Sequence, residues 1–225
     1  MIMQSLYFVV FGSFIGSQIP AIRGISYMAY IVPGLIMMAI INSSFMNVVF
    51  SFFSAKFQKS IEELLVAPVA NSTILLGYIS GGVIRSTITG VLVACVSVFF
   101  AHPPIMHPFA IIFFALITSV VFAMGGFLNA LFAKSFDDAG LFTTFILTPL
   151  TYLGGVFYSI ERLPPVFRTI SRANPIVYMV DGFRFGFFGF SDTNPWIGAT
   201  ILLLTALILF FLNIKLLKKG YGIRT

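Results

Sequence analysis

Long apolar blocks alternate with short polar connections along this 225-residue chain. The blocks run ~18 to 25 residues, the length at which an α-helix crosses a hydrocarbon layer, and lack the ~10-residue alternation of a membrane β-barrel. Six such blocks stand out, roughly Ile2–Ile19, Tyr30–Ser54, Ile74–Phe100, Phe109–Ala133, Gly140–Tyr158 and Trp196–Leu217. They predict an all-α integral membrane protein whose residues 1–225 form a single transmembrane domain. The connection Ala101–Pro108 is proline-rich and cannot continue a helix. In the connection Lys134–Asp138, Asp137 or Asp138 can cap the fifth helix.

Two segments break the alternation. Lys56–Pro68 is a polar island holding two of the six lysines and two of the three glutamates. It has helical periodicity: Phe57, Ile61, Leu64, Leu65 and Pro68 follow i, i+4, i+7, i+8, i+11, with Lys56, Lys59 and Glu63 on much of the other side. A membrane protein that receives force from a soluble partner needs such an element. Ser159–Pro195 is too polar for a span and too apolar for an ordinary loop. It reads as two short helices dipping into the outer leaflet and buried by protein, because lipid cannot satisfy irregular backbone. Val166, Phe167, Ile170 and Ala173 oppose Arg168, Ser171 and Arg172 in the first piece. In the second, Asp181 and Arg184 lie at i, i+3, close enough to pair.

Composition agrees with a membrane location. The mean hydropathy is +1.03, 59% of residues are hydrophobic and only 9% are charged, too few to cover a water-soluble fold. The net charge of +6 fits basic residues retained on the cytoplasmic side and does not suggest nucleic-acid binding. Lys56, Lys59, Lys134, Lys215, Lys218, Lys219 and Arg224 fall on one side, and Arg23, Arg162, Arg168, Arg172 and Arg184 on the other. All the lysines share the first side, which is assigned as cytoplasmic together with both termini. The lone Cys95 sits in an apolar run and reads as a small buried residue.

Candidate chemistry is sparse. No G-x-x-x-x-G-K-[ST] loop is present, so the chain holds no ATP or magnesium through that machinery. No serine sits in a nucleophile elbow, and His102 and His107 lack partners at metal-ligand spacing. No catalytic residue and no metal ligand is therefore assigned. All seven acidic residues lie outside the spans, which argues against ion-coupled transport. Polar and small stripes do run along the spans: Ser43, Asn47, Ser51 and Ser54; Gly77, Gly81, Arg85 and Thr89; Ala115, Ser119, Ala123 and Gly126; Thr144, Thr148, Thr151 and Gly155, beside a kink expected at Pro149. Each stripe suits close helix packing or the lining of a substrate path. Ser43, Asn47, Ser51, Thr144, Thr148 and Thr151 are the candidates for a lining. Arg85 is expected near the cytoplasmic boundary, snorkelling outward.

Lys59-Ser60-Ile61-Glu62-Glu63-Leu64-Leu65-Val66-Ala67-Pro68-Val69, followed by Ile74-Leu75-Leu76-Gly77, resembles the cytoplasmic loop of ABC-2 type transporter permeases. Pro149–Ser159, then Leu163-Pro164-Pro165 and Asn174-Pro175 through Asp181-Gly182-Phe183-Arg184, resembles the family's signature before the last span. The resemblance covers nearly the whole chain. It implies a bacterial inner-membrane exporter subunit that dimerises, contacts membrane lipids and pairs with two separate ATP-binding subunits, which carry the ATP and magnesium. It assigns residues 55–73 as a coupling loop, with Lys59, Ile61, Glu62, Glu63, Leu64, Leu65 and Pro68 seated on the ATPase, and 159–195 as an outer re-entrant segment. Substrates in the family are lipids, polysaccharides or hydrophobic drugs. Family members also begin with a basic interfacial helix, which is expected to be missing here because Met1 falls almost inside the first apolar block. The alternatives are a non-transporting anchor or scaffold for a cytosolic partner, and a secondary transporter.

Overall fold

The Ser26 side chain accepts the main-chain N–H of Ala29 and starts the longest helix, α1 (Tyr27–Phe57). In the computed structural model, which describes residues 6–16, 18–61 and 68–222, α1 is the central element. Its middle is apolar on every side, and Ile31, Val32, Leu35, Met37 and Ile41 are all fully buried. Neighbouring helices cover that middle on all sides. Around it stand α2 (Asn71–Val98) and α3 (Pro108–Phe132), with α8 (Pro195–Lys218) behind α3. Pro108 and Pro195 occupy first-turn positions, where a missing N–H costs nothing. These four are the helices, among the described residues, long and apolar enough to cross a membrane.

The fifth predicted span, Gly140–Tyr158, is not one helix. It is divided into α4 (Phe136–Phe142), a π-helical stretch Thr143–Leu147, and α5 (Thr148–Tyr152). Pro149 has no N–H to give to the preceding turn, and the Thr148 side chain and main-chain N–H both reach back to the Thr143 carbonyl. The chain then turns through Gly155 at φ +76°, a conformation that favours glycine. The cap of α4 is Ser135, which accepts the N–H of Asp138, not Asp137 or Asp138 as expected. In the first predicted span the described helix is π-helical, Phe8–Ile15.

Two helices fill the outer segment, α6 (Pro165–Arg172) and α7 (Pro175–Phe188). Asn174 caps α7 with its Oδ1 and donates its Nδ2 to the Leu150 carbonyl at 2.7 Å, tying α7 to α5. Cys95 is exposed on α2 instead of buried, because it faces away from the bundle.

Small residues let the helices close on one another. An added Cβ at Gly82 of α2 would lie 2.8 Å from Val48 of α1 and 3.2 Å from Ala123 of α3. A buried serine chain crosses the same junction: Ser44 Oγ donates to the Ser119 carbonyl, and Ser86 Oγ to Ser119 Oγ at 2.9 Å. The Ala115–Gly126 stripe of α3 is thus a packing seam. Ser119→Ala is expected to lower stability by about 1 kcal/mol, the scale of one buried hydrogen bond. Thermal unfolding in a mild detergent measures it; no change would remove the serine chain from the stabilising contacts.

Candidate functional site

The stripe of α1 does what the stripe of α3 does not. Ser43, Asn47, Ser51 and Ser54, with Met46 and Phe50, line an open cleft of about 470 Å³ together with Arg85 of α2. Gly81 lies beside Asn47, and Ser43 and Thr89 are hydrogen-bonded at 3.0 Å, so the two sequence stripes face each other. Three of the candidate lining residues, Ser43, Asn47 and Ser51, therefore come together. Thr144, Thr148 and Thr151 do not join them. Each donates its hydroxyl back to its own segment's backbone, to Gly140, Thr143 and Leu147, and Thr151 is fully buried. These threonines stabilise the π-helical break.

Arg85 is not at a helix end. It lies fourteen residues after Asn71 and thirteen before Val98, roughly 20 Å from either helix end. The side chain is exposed to the cleft and makes no ion pair or hydrogen bond among the described residues.

The lysine-bearing helix ends gather at one end of the bundle. Lys56 Nζ donates to the carbonyls of Leu131 and Ala133 at 3.1 and 2.7 Å, closing the C-terminus of α3, and Tyr221 beyond α8 packs on Phe132. Here α1 ends and the polar island begins. Lys59 is exposed at φ +59°, a turn that breaks the helix before Ser60. Ile61 is 1% exposed and belongs to the chain's own core. This corrects its assignment to a partner's cleft: the side chain anchors the island instead. Glu62, Glu63, Leu64 and Leu65 lie outside the described residues, and Pro68 is exposed where the description resumes.

At the opposite end, Asp181 and Arg184 are both buried but do not pair with each other. Asp181 accepts the N–H of Asp192 at 2.9 Å and both the N–H and hydroxyl of Thr193 at 2.6 Å. Arg184 donates to the Gly155 carbonyl at 2.8 Å and lies 4.1 Å over the Tyr30 ring. One side chain holds the loop before α8 and the other the loop after α5, so the two turn to different partners. Sequence reasoning missed Asp192, which accepts from Ser159 Oγ and Ile160 N–H and lies 3.6 Å from Arg23. The signal was the turn run Ser191-Asp192-Thr193-Asn194, rich in side chains that bond local backbone. Arg23 also pairs with Glu161 at 2.7 Å, which raises its already high pKa.

Residues 1–188 match the family model described as ABC-2 type transporter. The inner membrane transport permease YadH of Escherichia coli (strain K12) is 49% identical over 226 residues, which cover 100% of this chain and 88% of that protein. The YadH permease of Shigella flexneri gives the same values. Nodulation protein J of Neorhizobium galegae is 22% identical over 218 residues, covering 95% of this chain and 82% of that protein. With the apolar helices in place, these matches fix the class: the chain belongs to the ABC-2 type transporter family.

Proposed function

We propose that this chain is the transmembrane permease subunit of an ATP-driven exporter in a bacterial inner membrane, moving a lipid, polysaccharide or hydrophobic drug. One observation carries the reading. The island connects α1 directly to α2, and those two helices supply the walls of the polar cleft. A push on the island is thereby a push on both walls. The sequence has no G-x-x-x-x-G-K-[ST] loop, and in this reading the work comes from two ATP-binding subunits that carry ATP and magnesium, while a second permease copy completes the pathway. In this reading the lysine-bearing ends face the cytoplasm, both termini lie inside and the chain crosses six times. The two outer helices re-enter from the other side.

Lys59, Glu62, Glu63, Leu64, Leu65 and Pro68 form the surface that meets the ATPase, and Ile61 holds that surface to the bundle. Replacing Glu62 and Glu63 together with alanine is expected to reduce transport about tenfold or more while ATP hydrolysis by the co-purified partner continues, since charged interface contacts are worth 1.5–3 kcal/mol each. Reconstituted vesicles with both subunits measure the two rates. Unchanged transport would end the coupling assignment. A chain that co-purifies with a partner whose hydrolysis ignores it would favour the scaffold reading.

A further inference from the structure

We infer that the α1–α2 cleft is a binding subsite for the anionic headgroup of an amphiphile, with Arg85 as its recognising cation. The inference rests on the permease reading and names the chemistry that the cleft takes. Three observations carry it. Arg85 is the only charged residue in the interior of the four long helices; the others, Lys56, Lys215 and Lys218, stand at helix ends. It lies near the middle of α2, where a guanidinium facing hydrocarbon is costly and requires water, a counter-charge or a ligand. It opens into a cleft of mixed lining, where Asn47 and Ser51 stand beside Met46 and Phe50.

The stereochemistry suits a phosphate or carboxylate. A guanidinium presents a planar fork of donors matched to two oxygens of one anion. The Asn47 side chain makes no hydrogen bond among the described residues and is available as a further donor, whereas Ser43 is engaged with Thr89 and Ser51 with its own helix. Among the described residues no carboxylate lines the cleft to compete for the arginine. Phe50 and Met46 on the same wall offer apolar contact to the body of an amphiphile. A neutral sugar or an uncharged drug would leave the guanidinium unmatched, so the arrangement selects an acidic headgroup.

The test uses the full chain purified in an uncharged maltoside detergent, titrated with dodecyl phosphate as the anionic probe and dodecanol as its neutral counterpart. Native mass spectrometry reads the bound fractions. Wild type is expected to prefer dodecyl phosphate, and Arg85→Gln to lose about tenfold in that affinity, the scale of a charge-assisted contact, with dodecanol unaffected. Arg85→Lys should retain most of it. Arg85→Gln removes an isolated charge from the bundle, so folding is not at risk. Competition by phosphatidic acid would assign a bilayer lipid as the source, and competition by short alkyl phosphates alone a soluble amphiphile. Equal affinity of wild type and Arg85→Gln overturns the inference. So does loss of a dimer in Arg85→Gln without ligand, because the arginine would then be pairing with a second copy. Neither result bears on the response to Glu62 and Glu63 substitution, which tests the coupling reading separately.

Discussion

Asp181→Ala is expected to destabilise the protein by about 3 kcal/mol, through loss of charge-assisted hydrogen bonds and the stranding of their donors. The carboxylate is 2% exposed and accepts from the main chain at Asp192 and Thr193 and from the Thr193 hydroxyl. Removing it leaves two main-chain donors without that acceptor in a half-buried turn. The damage then spreads, because Asp192 in the same turn holds Ser159 and Ile160. Arg184 gives no rescue, because a guanidinium only donates and cannot replace the lost acceptor. Arg23→Ala provides the contrast: its pair with Glu161 is largely exposed, and such a pair contributes about 0–1 kcal/mol. Thermal unfolding of the two variants in the same detergent decides the matter. If Asp181→Ala falls no further than Arg23→Ala, the outer turn is not held by this carboxylate.

Gly126→Val is expected to cost about 3 kcal/mol or to prevent folding, the upper range for overpacking. A Cβ built at Gly126 of α3 would stand 2.5 Å from the Phe45 carbonyl oxygen of α1 and 3.2 Å from its carbon. The obstacle is backbone in the middle of a long helix, so no rotamer change relieves it and the two helices must separate. That separation would also stretch the Ser44–Ser119 contact across the same seam. Gly77→Ala is the control. A Cβ there meets nothing within 4 Å, and alanine in a helix interior is favoured over glycine by about 0.5–1 kcal/mol. Unfolding midpoints should move in opposite directions for the two variants. Equal tolerance at both sites would refute the close α1–α3 contact.

Much of this architecture is legible from residue order because a membrane leaves few choices. Backbone in hydrocarbon must bond to itself, so an apolar block of sufficient length is a helix. Ends are legible too: Pro108, Pro175 and Pro195 each sit in the first turn of their helices. The break near Pro149 follows from a missing N–H, although its π-helical form depends on Thr148 reaching Thr143. The buried Ile61 was less legible. Its spacing with Leu64 and Leu65 describes a face, and periodicity cannot say whether a face meets the chain's own core or another protein.

The stripes draw the dividing line between the two kinds of information. Sequence alone determined that the chain is an all-helical membrane protein of the ABC-2 type, that a charged island joins the second and third apolar blocks, and that several helices carry a polar or small face. Local spacing suffices for each, since helical geometry fixes which residues share a face. Only the tertiary structure decided what each face meets. Ser119 and Gly126 close a packing seam, the threonines of the π-helical stretch and α5 bond their own backbone, and Ser43, Asn47 and Ser51 open toward Arg85. Asp181 and Arg184, neighbours on one helical face, turn to opposite loops. A face's partner is set by how whole helices cross and by which donors and acceptors are left over. Those are global conditions that no window of sequence contains.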